Sequence, residues 1–343
     1  MTATAISSPS ARAVLVLGMH RSGTSVLANG LATLGVELGE RLMPPSPDNP
    51  KGYFENIEVV AFNERLLSTC QSRWDSILAP TMPEHVQETH AMLAEKLLDD
   101  QFGRAKLWGI KDPRMTRLLP FWRMVLDNRN TGVYYLLANR HPASVCASLA
   151  KRDNLPPALA LTLWLQHQSQ GLQALLEHGG LVVDYDCVLN APLEELQRIG
   201  EFLHLPTEKF GALQLKAFSD DFLDPELRRN SDHSFPAEQF HNSRLPELSL
   251  QLHNCLSLWA RTNGTPSQQL LEQSADVLRQ LELFMQEQYD WLACIDQTRM
   301  DCARQLLHSA MELKSAKKKR NQRVSTKLLR LFRLDKLCST RQR

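Results

Sequence analysis

"RAVLVLGMHRSGTSVLANGLATLG" (residues 12–35) decides the fold. Its first part, "RAVLVLG" (12–18), is apolar, rich in Val and Leu, and stopped by a glycine, the pattern of a strand buried on both faces. Its last part, "TSVLANGLATLG" (24–35), spaces Val26, Leu27, Leu31 and Leu34 along one side of a helix. Between them Gly18 and Gly23 frame a loop of G-x4-G form, followed by Thr24 and Ser25. Strand, glycine loop and helix in that order make a phosphate cradle, because backbone N–H groups and the positive end of the helix face the anion together. The Walker pattern for magnesium-bound triphosphates needs a lysine directly after the second glycine. Thr24 stands there, and Arg21 inside the loop supplies a bidentate guanidinium instead.

The same alternation runs on. "LWGIKDP" (107–113) predicts a second buried strand ending at Lys111, and "GVYYLLANR" (132–140) a third. Pro142 then takes a first helical position, with a helix continuing over "ASVCASLAKR". "GLVVDY" (180–185) predicts a fourth strand, followed by a helix over "LEELQRIGEFLHL" (193–205). The expected fold class is α/β, a P-loop-like three-layer arrangement with a central parallel sheet flanked by helices. Strand signals stop near residue 235. Leu248 to Ala316 then carries helical spacing, broken at "TNGTPSQ" (262–268), which predicts a C-terminal helical extension. The expected divisions are a flexible lead at 1–11, a catalytic domain at 12–235, the helical extension at 236–316 and a basic amphipathic tail at 317–343.

Ligands of open parallel sheets bind at the carboxyl ends of the strands. Arg21, Lys111, Arg140 and Tyr185 all fall at such ends, and three cations at three strand ends predict a strongly anionic ligand. The Pro-rich stretch "LMPPSPDNPKG" (42–52) reads as a long loop of the kind that carries function.

Composition narrows the setting. Of 343 residues, 43% are hydrophobic and 22% charged, an ordinary globular balance without a run long enough to span a bilayer. The seven cysteines are scattered and include no C-x-x-C, which argues against a disulfide framework or a zinc site and for a reducing, cytoplasmic setting. Net charge is +1, but Lys314 to Arg343 holds 12 basic residues and one acid, which leaves a body of about −10. Val324, Leu328, Leu331 and Phe332 share one face of that basic tail. Residues 317–337 therefore suit peripheral contact with an anionic membrane surface, an acidic polymer or an acidic partner. No nucleic-acid module is present.

Four elements together resemble the superfamily of sulfotransferases that use 3′-phosphoadenosine 5′-phosphosulfate (PAPS). Strand–"HRSGTS"–helix is similar to that superfamily's 5′-phosphosulfate loop, in the G-x-x-R-S-G-T-[ST] form of tyrosylprotein and carbohydrate members. "NRHPASVCASLAKR" offers Arg140 and, eight residues on, Ser148, the spacing of the superfamily's 3′-phosphate site. "GIKDPRM" (109–115) resembles the K-D-P stretch whose lysine contacts the transferring sulfuryl group, and "VVDYDCVLNAPLEELQRIGEFLHL" resembles the region that closes the fold. The four cover residues 12–210. The resemblance implies PAPS as donor, 3′-phosphoadenosine 5′-phosphate as product and no metal. It implies donor contacts from His20, Arg21, Ser22, Gly23, Thr24, Ser25, Arg140, Ser148 and Tyr185, with Arg21 and Lys111 on the sulfuryl side. Arg228, with Arg229, falls where the superfamily places a basic segment over the nucleotide, though the R-K-G form of that segment is absent. Asp112 and Arg114 read as a local ion pair that stiffens the turn.

The expected reaction passes a sulfuryl group to a hydroxyl or amine of an acceptor, expected to be a carbohydrate or glycosylated molecule. Three residues compete for general base. Glu55, in "NPKGYFENIEVVAFNERL", resembles the F-E-x-I segment of heparan N-sulfotransferase domains; Glu58 lies one helical turn on; His20 lies inside the loop. Two other readings stand beside this one. A P-loop kinase would need a cation in place of Thr24 and a magnesium-holding acid, for which Asp112 is the visible candidate. A non-catalytic relative would bind nucleotide or glycan without turnover.

Overall fold

The computed structural model describes residues 11–206, 218–219, 235, 240 and 243–339, with side chains as far as Lys318. Four strands form one sheet: β1 (Arg12–Leu17), β2 (Leu107–Lys111), β3 (Gly132–Asn139) and β4 (Leu181–Asp184). Their order is β2-β1-β3-β4, and every pairing is parallel. The chain leaves β1 toward β2 on one side and returns to β3 on the other, so the sheet reverses its winding at the carboxyl end of β1. That is where a crevice opens in such sheets.

Alternation along β1 assigns the layers. Ala13, Leu15 and Leu17 enter one core, Val14 and Val16 the other. The second face is covered by α1 (Thr24–Thr33), α8 (Tyr185–Asn190) and α9 (Pro192–Phe202), through Leu27, Leu31, Val188, Leu196 and Ile199. The first and larger face carries α2 (Ile57–Thr69), α3 (Glu84–Phe102), α4 (Arg114–Arg117), α5 (Leu119–Asn128), α6 (Pro142–Asp153) and α7 (Pro157–His178). Trp122 and Trp164 lie wholly buried in that core. Burial at this scale, of order 25 cal/mol per Å² of apolar surface, is what holds the layers together.

Two further helices, α10 (Leu245–Trp259) and α11 (Gln268–Glu287), join the larger core through Leu248, Leu252, Trp259, Val277 and Leu281. The first compact unit runs through Gln288, so the expected division at residue 236 falls inside it. The second unit, Tyr289–Arg343, carries α12 (Tyr289–Ser339). Trp291, Leu306 and Leu313 are well exposed on it. No described helix is long and apolar enough to cross a membrane.

Candidate active site

The glycine loop turns as its sequence demands. Gly18 has φ 125°, and a Cβ there would meet the Ala138 carbonyl at 2.8 Å. Gly23 has φ 91°, and a Cβ there would meet the Tyr185 ring at 2.7 Å. Only glycine satisfies both a left-handed backbone and so close an approach. Arg21 also adopts a left-handed conformation, φ 69°, which costs a non-glycine residue about 1 kcal/mol or more, and its side chain reaches Ser148 and the Asp48 carbonyl. The first turn of α1 has no side-chain cap and no acidic residue. Its N–H groups therefore carry the positive pole of the helix toward the crevice.

A cavity of about 500 Å³ lies over this loop. It is lined by His20, Arg21, Gly23, Thr24 and Ser25 from the loop, Glu55 and Lys111 on one side, and Arg140, Ser148 and Tyr185 on the other. Residues far apart in sequence meet there. The Arg21 Nε donates to Ser148 Oγ at 2.9 Å. The Arg140 guanidinium lies over the Tyr185 ring, 4.4 Å from its centroid, and its Nη1 donates to the Arg21 carbonyl at 3.1 Å. Tyr185 itself is the first residue of α8 rather than the end of a strand.

On the other side Lys111, at the end of β2, donates from Nζ to Glu55 Oε1 at 2.5 Å, to the Tyr53 carbonyl at 3.0 Å and to Ser25 Oγ at 3.2 Å. Lys111 and Glu55 are 3% and 5% exposed at their side chains. Glu55 precedes Asn56, the N-cap whose side chain accepts from Glu58 N and Val59 N, so it stands just before α2 rather than inside it. Glu58 points elsewhere, to an ion pair with Arg41. Asp112 and Arg114 do pair, at 2.9 Å, and Asp112 also accepts from Asn63 Nδ2 at 2.9 Å. Arg114 in addition reaches to 3.9 Å from Glu55.

The electrostatics follow burial and cation crowding. His20 is held well below its ordinary pKa by burial first and by Arg152 and other cations after it, so it is neutral near pH 7. Its Nε2 is buried without a hydrogen-bond partner, and its ring meets Trp74 edge-on. Burial also lowers Arg21 and Arg140, and Arg152 adds to the effect on Arg21. Ser22 is fully buried, with its hydroxyl unpartnered, and Thr24 is nearly so.

Several lining residues escape a reading by motif. Asp48, Asn49 and Tyr53 come from the Pro-rich loop, and Lys151 and Arg152 from the last turn of α6. The last two lie three and four residues after Ser148, one helical turn on, which is the signal that marks them. Asp48 approaches Arg21 at 3.8 Å, its carbonyl accepts from Arg21 Nη1 at 3.2 Å, and its carboxylate accepts from Tyr53 Oη at 2.7 Å. Burial works to raise Asp48, but hydrogen bonds from Ser46 and Tyr53 outweigh it and hold the carboxyl below its ordinary value. Arg228 and Arg229 lie outside the described residues, as do the side chains of 319–339 in the basic tail. Among the described residues no group of three His, Cys, Asp or Glu side chains is placed to hold a metal ion.

No protein-family model matches the chain, and no curated protein matches it. Among solved structures it is similar to the sulfotransferase domain from the Synechococcus PCC 7002 olefin synthase, at 17% identity and a TM-score of 0.37, covering 80% of this chain and 95% of that one. It is similar also to sulfotransferase STF9 from Mycobacterium avium, at 16% identity and a TM-score of 0.39, covering 73% of this chain and 76% of that one. A third is the sulfotransferase domain from the curacin biosynthetic pathway, at 17% identity and a TM-score of 0.35, covering 79% and 98%.

Proposed function

We propose that the cleft binds PAPS and transfers its sulfuryl group to an acceptor hydroxyl or amine. The observation that carries this reading is the position of Lys111: a buried ammonium beside Ser25 of the phosphate loop and 2.5 Å from Glu55. It sets a cation for the sulfuryl oxygens and a carboxylate for the acceptor proton side by side.

In this reading the α1 N-terminus, the loop amides and Arg21 hold the 5′-phosphosulfate. Arg140 and Ser148 hold the 3′-phosphate, and the Tyr185 ring backs the guanidinium. The acceptor oxygen or nitrogen attacks sulfur in line with the departing 5′-phosphate oxygen. A bond to sulfur forms as the bridging S–O bond breaks, and the acceptor proton passes to Glu55. Lys111 and Arg21 stabilise charge on the sulfuryl and bridging oxygens. Glu55 is favoured over its competitors on geometry. Glu58 is turned to Arg41, and His20 is a neutral imidazole whose depressed pKa makes it a weak base. The acceptor proposed is a carbohydrate or glycosylated molecule, met at a site closed by loop 42–56. The working location proposed is cytoplasmic, with residues 317–337 at an anionic membrane surface. The kinase reading is less well supported: Asp112 is wholly buried, held by Asn63 and Arg114, and Thr24 stands in the lysine position.

Calorimetry with 3′-phosphoadenosine 5′-phosphate, 5′-AMP and magnesium ATP on the wild type and Arg140→Ala tests the donor site. Tight, metal-independent binding that needs the 3′-phosphate and is lost in Arg140→Ala is the expected result. A preference for magnesium ATP would overturn it.

A further inference from the structure

Arg140 carries the proposed selectivity for a 3′-phosphate, and one helix grips the residues around it. His253 of α10 touches both of its neighbours in sequence. Its Nδ1 lies 3.2 Å from Asn139 Oδ1, and its ring meets the His141 ring at 5.0 Å between centroids. Asn139 in turn donates from Nδ2 to Asp184 Oδ2 at 2.8 Å and to Ser257 Oγ at 3.1 Å. Ser257, one turn after His253 on α10, lies 3.4 Å from both Asp184 Oδ2 and His253 Nε2. Asp184 immediately precedes Tyr185, the ring under Arg140.

The donor and acceptor roles agree with one another. With the Asn139 amide donating to Asp184 and Ser257, its carbonyl must accept, so His253 donates to it from Nδ1. Asn139 is fully buried and Asp184 is 8% exposed, so each needs these partners. The trio of Ser, His and Asp is not a hydrolase relay, because the carboxylate faces the serine and the imidazole Nδ1 faces an amide. Register explains the placement: Asn139 and Asp184 are paired as the last residues of β3 and β4, so one cluster ties both strand ends to α10.

We propose that His253, Asn139, Ser257 and Asp184 form a positioning network that sets the Arg140–Tyr185 pair and thereby the preference of the cleft for a 3′-phosphorylated nucleotide. The inference rests on the donor reading above. None of the four lines the cavity, so they act through Arg140 rather than on the ligand.

The test is calorimetry of 3′-phosphoadenosine 5′-phosphate and 5′-AMP on the full chain, as wild type, His253→Phe and Ser257→Ala. Phenylalanine keeps an aromatic ring against His141 and removes both nitrogens. The preference for the 3′-phosphate is expected to fall about tenfold in His253→Phe and about threefold in Ser257→Ala, with 5′-AMP affinity unchanged. Added to Arg140→Ala, His253→Phe is expected to cost nothing more. Equal losses for both nucleotides, or no loss for either, would overturn the network while leaving the donor reading standing. Ser257→Ala decides the matter if His253→Phe does not fold. A wild type that binds both nucleotides equally would overturn the donor reading and the inference with it.

Discussion

Lys111 and Glu55 form a buried ion pair across the gap between the end of β2 and the residue before the α2 cap, with Nζ 2.5 Å from Oε1. Each side chain is desolvated, so each depends on the other. Glu55→Gln keeps a neutral acceptor for Lys111, which also retains Ser25 and the Tyr53 carbonyl. Nucleotide affinity is expected to stay within about threefold, while turnover falls about 10²- to 10⁴-fold as a general base is removed. Single-turnover transfer from labelled donor, beside calorimetry, separates the two quantities. Lys111→Ala leaves the buried Glu55 carboxylate to the more distant Arg114, at 3.9 Å, and is expected to lose about 3 kcal/mol of stability as well, read by urea unfolding.

Ser148 accepts from Arg21 Nε. Ser148→Ala is expected to weaken 3′-phosphoadenosine 5′-phosphate about tenfold, the scale of one hydrogen bond to a charged group, and to leave 5′-AMP nearly unchanged. Calorimetry of both ligands checks it. Equal weakening of both would move Ser148 to the 5′-phosphate side, with Arg21.

Gly23→Ala meets two obstacles, a φ of 91° and a Tyr185 ring atom 2.7 Å from the new methyl. Loss of about 2 kcal/mol or more is expected in denaturant unfolding, with nucleotide binding abolished. Combining it with Tyr185→Ala should return only part of the stability, since the backbone conformation stays forbidden. Full recovery would show that the ring contact alone was at fault.

His167 is wholly buried, with Nδ1 2.8 Å from the Leu163 carbonyl, and burial depresses its pKa to about 3. His20 is depressed in the same direction. In the unfolded chain both imidazoles take up protons below their ordinary value of 6.5, while in the fold they stay neutral. The stability His167 contributes is therefore complete above pH 6.5 and is lost as pH falls toward its folded value of about 3, and His20 acts in the same direction. His167 contributes a slope of about 1.4 kcal/mol per pH unit within that window. Unfolding free energies measured from pH 7 to pH 4 should fall less steeply in His167→Gln, by about one proton, because glutamine supplies a donor for Leu163 and takes up no proton.

Much of this architecture was legible in local pattern. "RAVLVLG" has the apolar run of a doubly covered strand, and β1 lies at the centre of the sheet with Ala13 to Leu17 fully buried. Pro142 opens α6, and Lys111 ends β2, as the punctuation predicts. The cations gather because parallel strands bring their ends to one edge, so a residue just after a strand is placed by register alone. Side-chain partners obey no such rule. The pairing of Glu58 with Arg41, and of Asp48 with Arg21, depends on how loop 42–56 folds back, and its prolines and polar residues have no period to read. The tie between α10 and Asn139 joins residues more than a hundred positions apart through one imidazole, and nothing near His253 in sequence announces it. The apolar stripes of α10 and α11 show that they pack, but not against what, and only the fold brings them to the larger core.

Asp48 already rests against Arg21, braced by Tyr53, and Asn49 reaches Ser25 from the same loop. In the proposed reading, an anion that takes the guanidinium there competes with a carboxylate already in place, not merely with water. A singly charged visitor exchanges one negative charge for another and gains little, whereas a multiply charged one gains on every exchange.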